Sequence, residues 1–399
     1  MLENNQKIPE GWSVKKISDL GTTVSGGTPD TNNPEYWDGD VLWVTPSEVS
    51  ALSNRFIWDT ERKITEKGLK QSSAKLLPVN SLIICTRATI GDCCINKKPI
   101  CTNQGFKNII VTGNNVDFLY YLISKNKHEL IRKACGSTFL EISKKDIDNL
   151  KFPIPPLPEQ EKIAEILWTW DEAIEKLSNL IEQKKLLKKG LMQKLLTGKV
   201  RLSTFTQPWK EVKLGAVLEA ISRRNKNLNI SRVLSVTNSR GFILPEEQFS
   251  RVVASEDLSN YKVVKNGEFA YNPSRLNVGS IDRLDNFTDG VLSPMYVIFK
   301  CNEKLSSNYM KHWITTTEFN TKVRNSAQGS VRETVDFKTL SSIKINLPSD
   351  ISEQQAIADV LSTADDEINL LNQKLEALKE QKKGLMQQLL TGQIRVKVN

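Results

Sequence analysis

The chain has 399 residues, with 55 basic side chains against 46 acidic ones for a formal net charge of +9, and 39% of its residues are hydrophobic. These fractions exclude disordered and fibrous classes, and the length allows two or three domains, each with its own core. No apolar run approaches the ~20 residues needed to cross a bilayer. The start, Met1-Leu2-Glu3-Asn4-Asn5-Gln6, lacks the basic and apolar regions of a signal peptide, so a cytoplasmic address without membrane association is expected. The basic balance points to a polyanionic partner. Cys85, Cys93, Cys94, Cys101, Cys135 and Cys301 form no CxxC pair, and His128 and His312 are the only histidines. Reduced thiols and no metal site are expected.

Gly11-Trp12-Ser13-Val14-Lys15-Lys16-Ile17 opens a first unit, and Pro208-Trp209-Lys210-Glu211-Val212-Lys213-Leu214 opens a second at nearly the same spacing as the repeat described below. After the first come the loop-forming Ser25-Gly26-Gly27-Thr28-Pro29, then strand-like Val41–Val44 and Ser81–Cys85. Asp117 to Lys133 has helical spacing of apolar residues and ends before Gly136. Tyr36-Trp37 and Phe118-Tyr120-Tyr121 read as core. Pro153 to Pro158 holds four prolines and cannot be helix interior, because proline lacks an N–H and clashes with the preceding turn. In the second half Ile345-Asn346-Leu347-Pro348 takes the matching place, and Gly329-Ser330 matches Gly136-Ser137. Both halves keep a strand followed by an arginine and then a glycine: Cys85 to Gly91 with Arg87, and Tyr271 to Gly279 with Arg275.

Lys189-Gly190-Leu191-Met192-Gln193-Lys194-Leu195-Leu196-Thr197-Gly198 returns 194 positions later as Lys383-Gly384-Leu385-Met386-Gln387-Gln388-Leu389-Leu390-Thr391-Gly392. The same offset aligns Glu159-Gln160 with Glu353-Gln354 and Asp171 with Asp365, so the chain carries an internal repeat. Glu159 to Thr197 and Glu353 to Thr391 contain no proline. Each keeps a heptad seam: Ile163, Leu167, Trp170, Ile174, Leu177, Ile181, Leu191 and Leu195 in the first, Ile357, Leu361, Ile368, Leu371, Leu375, Leu378, Leu385 and Leu389 in the second. The pattern predicts two helices of about 38 residues, roughly 57 Å long. Leaving either seam in water would forgo more than about 10 kcal/mol, so the helices should pair.

Acids crowd the first half of each helix and lysines the second half. Antiparallel pairing sets acid against base at both ends; adaptation of each helix to its own macrodipole would give the same polarity. The antiparallel register places Lys382 near Asp171, and Lys184 or Lys188 near Asp365 and Asp366. Gly190 and Gly384 reflect close approach of another element or plain bending. The expected fold is α+β: two mixed α/β domains alternating with two long helices that pair as an antiparallel coiled coil, with an approximate two-fold internal repeat. The divisions are 1–152 (first globular domain), 153–202 (proline linker and first helix), 203–347 (second globular domain) and 348–399 (linker and second helix). Duplex DNA has a local two-fold axis, and proteins of that symmetry read half-sites about 34 Å apart. Because the two globular domains differ in sequence, an asymmetric bipartite target is expected, with the helices as a ruler.

The order of variable domain, Pro156-Leu157-Pro158-Glu159-Gln160-Glu161-Lys162-Ile163-Ala164-Glu165-Ile166-Leu167, a helix ending Gly-Leu-Met-Gln-Lys-Leu-Leu-Thr-Gly, and the same again resembles the specificity subunit of type I restriction-modification enzymes. Ser25 to Pro29, Tyr271 to Arg275 and Ser293-Pro294-Met295-Tyr296 are similar to that family's target-recognition domains. The resemblance implies a non-catalytic subunit that selects a split sequence on double-stranded DNA and assembles two adenine-methylating subunits, with restriction subunits as ATP-driven motor nucleases. It also implies that this chain binds no cofactor, S-adenosylmethionine, ATP and Mg belonging to the partners.

The residues agree. The chain lacks a GxxxxGK[ST] loop and a dinucleotide fingerprint. Asn272-Pro273 is followed by Ser274 and Arg275, where an amino-methyltransferase motif needs proline and an aromatic. Arg87 and Arg275 follow strands at matching positions and reach either DNA or a structural carboxylate. Thr86, Thr89, Gln104, Asn272 and Asn277 are candidate base readers, with Ser274 beside them. Arg223, Arg224 and Lys226 form a phosphate-contacting cluster or a solvated face. The competing class is a coiled-coil scaffold that binds protein alone, and a self-sufficient methyltransferase is a third reading.

Overall fold

The computed structural model describes residues 8–134, 140–247, 257–327 and 334–398. The heptad patterns become two helices of 39 residues, Leu157–Leu195 and Ile351–Leu389. Pro158 is tolerated because it falls in the first turn, where a missing N–H costs no intrahelical bond. Both helices stop at a glycine with φ +69°, Gly198 and Gly392, a left-handed conformation that glycine adopts without steric cost. Thr197 and Thr391 each donate a hydroxyl hydrogen bond back to the carbonyl of the preceding turn, at 2.6 Å to Gln193 and Gln387 respectively.

The chain packs as two units, Met1–Asn179 with Asn372–Asn399, and Leu180–Leu371. In the first unit a sheet runs in the order Gly21–Ser25, Phe106–Val111, Leu82–Cys85, Cys93–Asn96 and Phe56–Ile57. Ser13–Lys16 pairs antiparallel with Lys151–Ile154, tying the start of the globular domain to the strand that leads into the first helix. Ile163 and Leu167 of that helix share a buried core with Leu389 and Leu390 from the end of the second helix, so antiparallel pairing is built into the unit. Arg55, 7% exposed, stacks 3.9 Å over the Trp168 ring of the helix and ion-pairs with Asp117 at 2.6 Å. Lys382 pairs with Asp171, which also accepts a 2.6 Å hydrogen bond from the Tyr121 hydroxyl.

The second unit repeats this plan. Its sheet order is Leu218–Ile221, Val297–Cys301, Phe269–Tyr271 and Ile281–Arg283. Trp209–Lys213 pairs antiparallel with Lys344–Pro348. Leu195 and Leu196 join Ile357, Ala358 and Leu361 in its core. Lys188 reaches Asp365 at 2.5 Å, as the charge argument requires. Lys184 pairs with Glu367, two residues further along the same opposing helix, at 2.6 Å.

Of the seam residues, Ile163, Leu167, Leu177, Ile181, Leu195, Ile357, Leu361, Ile368, Leu375 and Leu389 are buried. Trp170, Ile174, Leu191, Leu371, Leu378 and Leu385 are half-buried. Two expectations are corrected. Asp117 to Lys133 is not one helix but two, Val116–Lys125 and Lys127–Lys133, divided at Asn126, whose amide donates back to the Leu122 carbonyl at 2.7 Å. A Cβ at Gly190 or Gly384 would meet nothing within 4 Å, so among the described residues no close approach by another element accounts for them. Gly136, Ser137, Gly329, Ser330 and Cys135 lie outside the described residues.

Candidate nucleic-acid interface

Three loops converge in the first globular domain because glycine lets their backbones touch. A Cβ at Gly26 would stand 1.8 Å from the Asn103 carbonyl oxygen, and one at Gly27 would stand 2.4 Å from the Ala74 nitrogen. The Trp43 indole N–H donates to the Gly27 carbonyl at 2.9 Å and fixes the loop from below. Thr28, at the loop's end, donates to the exposed Gln104. Thr86 is fully buried and its hydroxyl donates to the Gly105 carbonyl at 3.0 Å, so it shapes the loop rather than facing outward. Arg87 is half-buried and ion-pairs with Glu141 at 2.6 Å, while Lys107 approaches the same carboxylate at 3.5 Å. Burial raises the Glu141 pKa, but the Arg87 hydrogen bond and the two positive charges outweigh it and leave the carboxyl below its usual range. Thr89 is half-buried beside a cleft of about 950 Å³, which Arg87, Asp92, Lys127 and Glu141 also line.

In the second domain the strand Phe269–Tyr271 leads into a loop closed by Gly279. Gly279 and its counterpart Gly91 in the first domain both have φ +88°. The arginine-then-glycine pattern thus ends in a left-handed glycine in both domains, although the turns before it differ: Gly91 bonds back to the Cys85 carbonyl and Gly279 to that of Leu276. Ser274 and Arg275 are exposed, and Asn272 and Asn277 half-buried. The Asn272 side-chain Oδ1 accepts the Ser274 N–H at 3.0 Å, and its Nδ2 lies 3.7 Å from the sulfur of Met295, itself 61% exposed.

Arg223 pairs with Glu268, Arg224 donates to the Asn260 carbonyl at 2.5 Å, and Lys226 is exposed. Arg224 also forms a backbone bridge with Lys262, whose ammonium donates to the Tyr296 carbonyl at 2.6 Å. Tyr296 is next in the chain to Met295, so the Arg224 bridge and the Asn272 turn meet adjacent residues of one loop. The Thr86, Arg87 and Gln104 group belongs to the first unit, the Arg223 and Asn272 groups to the second.

At the head of its long helix each unit has a framework that sequence reasoning missed. Glu159 is buried, and its carboxylate accepts from Arg395 at 2.7 and 2.8 Å and from the Trp12 indole at 3.1 Å. Glu353 is buried likewise, accepting from Arg201 at 2.9 and 2.7 Å and from Trp209 at 3.2 Å. The neighbouring glutamines hold the N-cap residue of an earlier helix in each domain, Val116–Lys125 and Ser307–Trp313. The Gln160 side-chain Oε1 accepts the Asn115 N–H at 2.9 Å, and the Gln354 Oε1 accepts the Ser306 N–H at 2.8 Å. The available signal was the spacing of Arg201 and Arg395, which keep the offset of the helix repeat. Among the described residues no three His, Cys, Asp or Glu side chains cluster as a metal site would need, and no helix is long and apolar enough to cross a membrane.

A family model described as the type I restriction modification DNA specificity domain matches residues 9–184 and 292–380, more than half of the chain. The chain belongs to this family. It is 40% identical over 186 residues to the MjaIX specificity subunit of Methanocaldococcus jannaschii, a match spanning 46% of this chain and 42% of that relative. The MjaVIII specificity subunit of the same organism is 25% identical over 98% of this chain and 95% of its own length. Among solved structures, the type I S subunit of M. genitalium superposes with a TM-score of 0.58 at 15% identity, covering 98% of this chain and 97% of that one. The HsdS subunit of Thermoanaerobacter tengcongensis gives 0.53 at 17% identity, covering 99% of this chain and 100% of that one. Membership in the type I specificity family assigns the chain to DNA sequence choice within a multi-subunit system, not to catalysis.

Proposed function

We propose that this type I specificity chain binds an asymmetric bipartite sequence on double-stranded DNA, one half-site per globular domain, taken as residues 1–152 and 203–347. The observation that carries the reading is one Trp–Glu–Arg framework around a buried glutamate made twice, Trp12–Glu159–Arg395 and Trp209–Glu353–Arg201, in two units whose candidate loops differ in sequence. A repeated framework with divergent loops gives one mode of holding DNA and two different base readouts. The chain would assemble two methyltransferase subunits, and restriction subunits would join them, in the cytoplasm. S-adenosylmethionine, ATP and Mg would reside on those partners.

The test is to map methylated adenines in DNA modified by the complete complex. A single split motif, with different bases on its two sides, is the expected result. Equal, sequence-independent binding at all salt concentrations would favour a protein-only scaffold.

A further inference from the structure

In the second globular domain a short loop is held rigid at its base and exposed along its length. Asn225 is 4% exposed. Its backbone N–H donates to the Tyr261 carbonyl at 3.0 Å, its side-chain amide donates to the Ile230 carbonyl at 2.8 Å, and its side-chain carbonyl accepts the Ile230 N–H at 3.3 Å. The Leu228 N–H closes a turn onto the Asn225 carbonyl at 2.9 Å. Lys226, Asn227, Leu228 and Asn229 between these ties are all exposed.

Leu228 itself is 57% exposed and has φ +53°. The other described non-glycine residues with positive φ are Asp38, Asn80 and Ala88. An exposed leucine gains little from burial, and its branched side chain makes the left-handed conformation costly; glycine or asparagine would occupy this position with less strain. Folding therefore gives no reason for leucine here. Its flanks do: an amide-bearing side chain on each side, Lys226 before them, and Arg224 and Lys262 at the loop's base. The Lys262 ammonium donates to the Tyr296 carbonyl, next in the chain to Met295, whose sulfur lies 3.7 Å from the Asn272 amide.

We infer that Lys226–Asn229 is a base-probing loop of the second half-site. Leu228 makes the apolar contact with the base pairs, Asn227 and Asn229 hydrogen-bond base edges, and Arg224 and Lys226 hold the adjacent phosphates. This assignment rests on the reading that the chain binds duplex DNA.

The test uses the complete complex with its methylating subunits and a DNA library in which each half-site is randomised in turn. Leu228→Gly suits the left-handed backbone and removes only the side chain, and an unchanged melting temperature confirms that the loop is intact. With Leu228→Gly or Asn227→Ala, preference at one or two positions of the second half-site should relax about tenfold while the first half-site is unchanged. Lys226→Ala should weaken binding to all sequences alike and lower the salt slope by about one. The loop assignment is overturned if Leu228→Gly and Asn227→Ala leave the second half-site preference intact, or weaken all sequences equally. If the unsubstituted complex shows no preference at either half-site, the DNA reading itself fails, and this loop's role with it.

Discussion

Arg395, just beyond the second long helix, grips both carboxylate oxygens of Glu159 at the head of the first, Nε to Oε1 at 2.7 Å and Nη2 to Oε2 at 2.8 Å. Removing it leaves a buried carboxylate with the Trp12 indole as its remaining described partner. Because the Arg395 side chain is 43% exposed, the loss is moderated by solvent, and Arg395→Ala should destabilise the chain by about 1–2 kcal/mol. Denaturant titration of Arg395→Ala, Glu159→Gln and the double variant would read the coupling. Additive effects would show that the pair is incidental.

Lysines on the long helices should divide into two classes. Lys382, 18% exposed, meets Asp171 within the helix pairing, whereas Lys379, 47% exposed, meets Glu376 on its own helix. Lys382→Ala should cost about 1–3 kcal/mol, since Asp171 retains only the Tyr121 hydroxyl among its described partners. Lys379→Ala should change stability by less than about 0.5 kcal/mol. Equal melting temperatures for the two variants would refute the distinction.

His312 gives the second unit a pH dependence. Burial, and then the Lys188 charge, depress its pKa to about 4, against the opposing pull of Asp365 at 3.8 Å; Lys311 and Arg283 add to the depression. The folded chain keeps the imidazole neutral while the unfolded chain protonates it near 6.5, so stability is full above that pH. It falls as pH drops from 6.5 toward 4, by up to ~3 kcal/mol, and this contribution does not grow further below. His312→Gln should flatten that part of the urea-midpoint profile between pH 7 and 4. An unchanged slope would mean that other groups govern it.

The fragment 1–201 contains both sides of the framework. Arg201 holds Glu353 at 2.9 and 2.7 Å, the repeat equivalent of Arg395 on Glu159. Two copies of the fragment can therefore exchange Arg201 for the missing Arg395 and Lys188 for Lys382. Sedimentation should find a dimer that Arg201→Ala weakens, and with methylating subunits it should specify a palindromic site. A fragment monomeric at high concentration would contradict the pairing.

The helices were legible in the sequence because heptads and charge polarity are written at fixed spacing, and the contact of Lys382 with Asp171 follows from them. The framework at the helix heads was half-written. Trp12, Glu159 and their repeats stood out, but nothing local says that a tail arginine returns to a helix head. Apolar periodicity ran through Asn126 and hid the break there, since one side-chain bond to the Leu122 carbonyl decides it. Thr86 looked like a base reader beside Arg87, yet burial turns it inward. Leu228 carried no signal at all, because its distinction is a backbone angle.

The second unit is one continuous stretch of chain, Leu180–Leu371, whereas the first draws its last part from Asn372–Asn399. On the ribosome the second unit can therefore complete its core while the first still shows Ile163 and Leu167 to solvent, awaiting Leu389 and Leu390. The domain translated first is the one finished last. Unless a second copy covered it, a chain broken off before those two leucines would carry an open apolar seam in its first unit, a ready mark for chaperones and proteases.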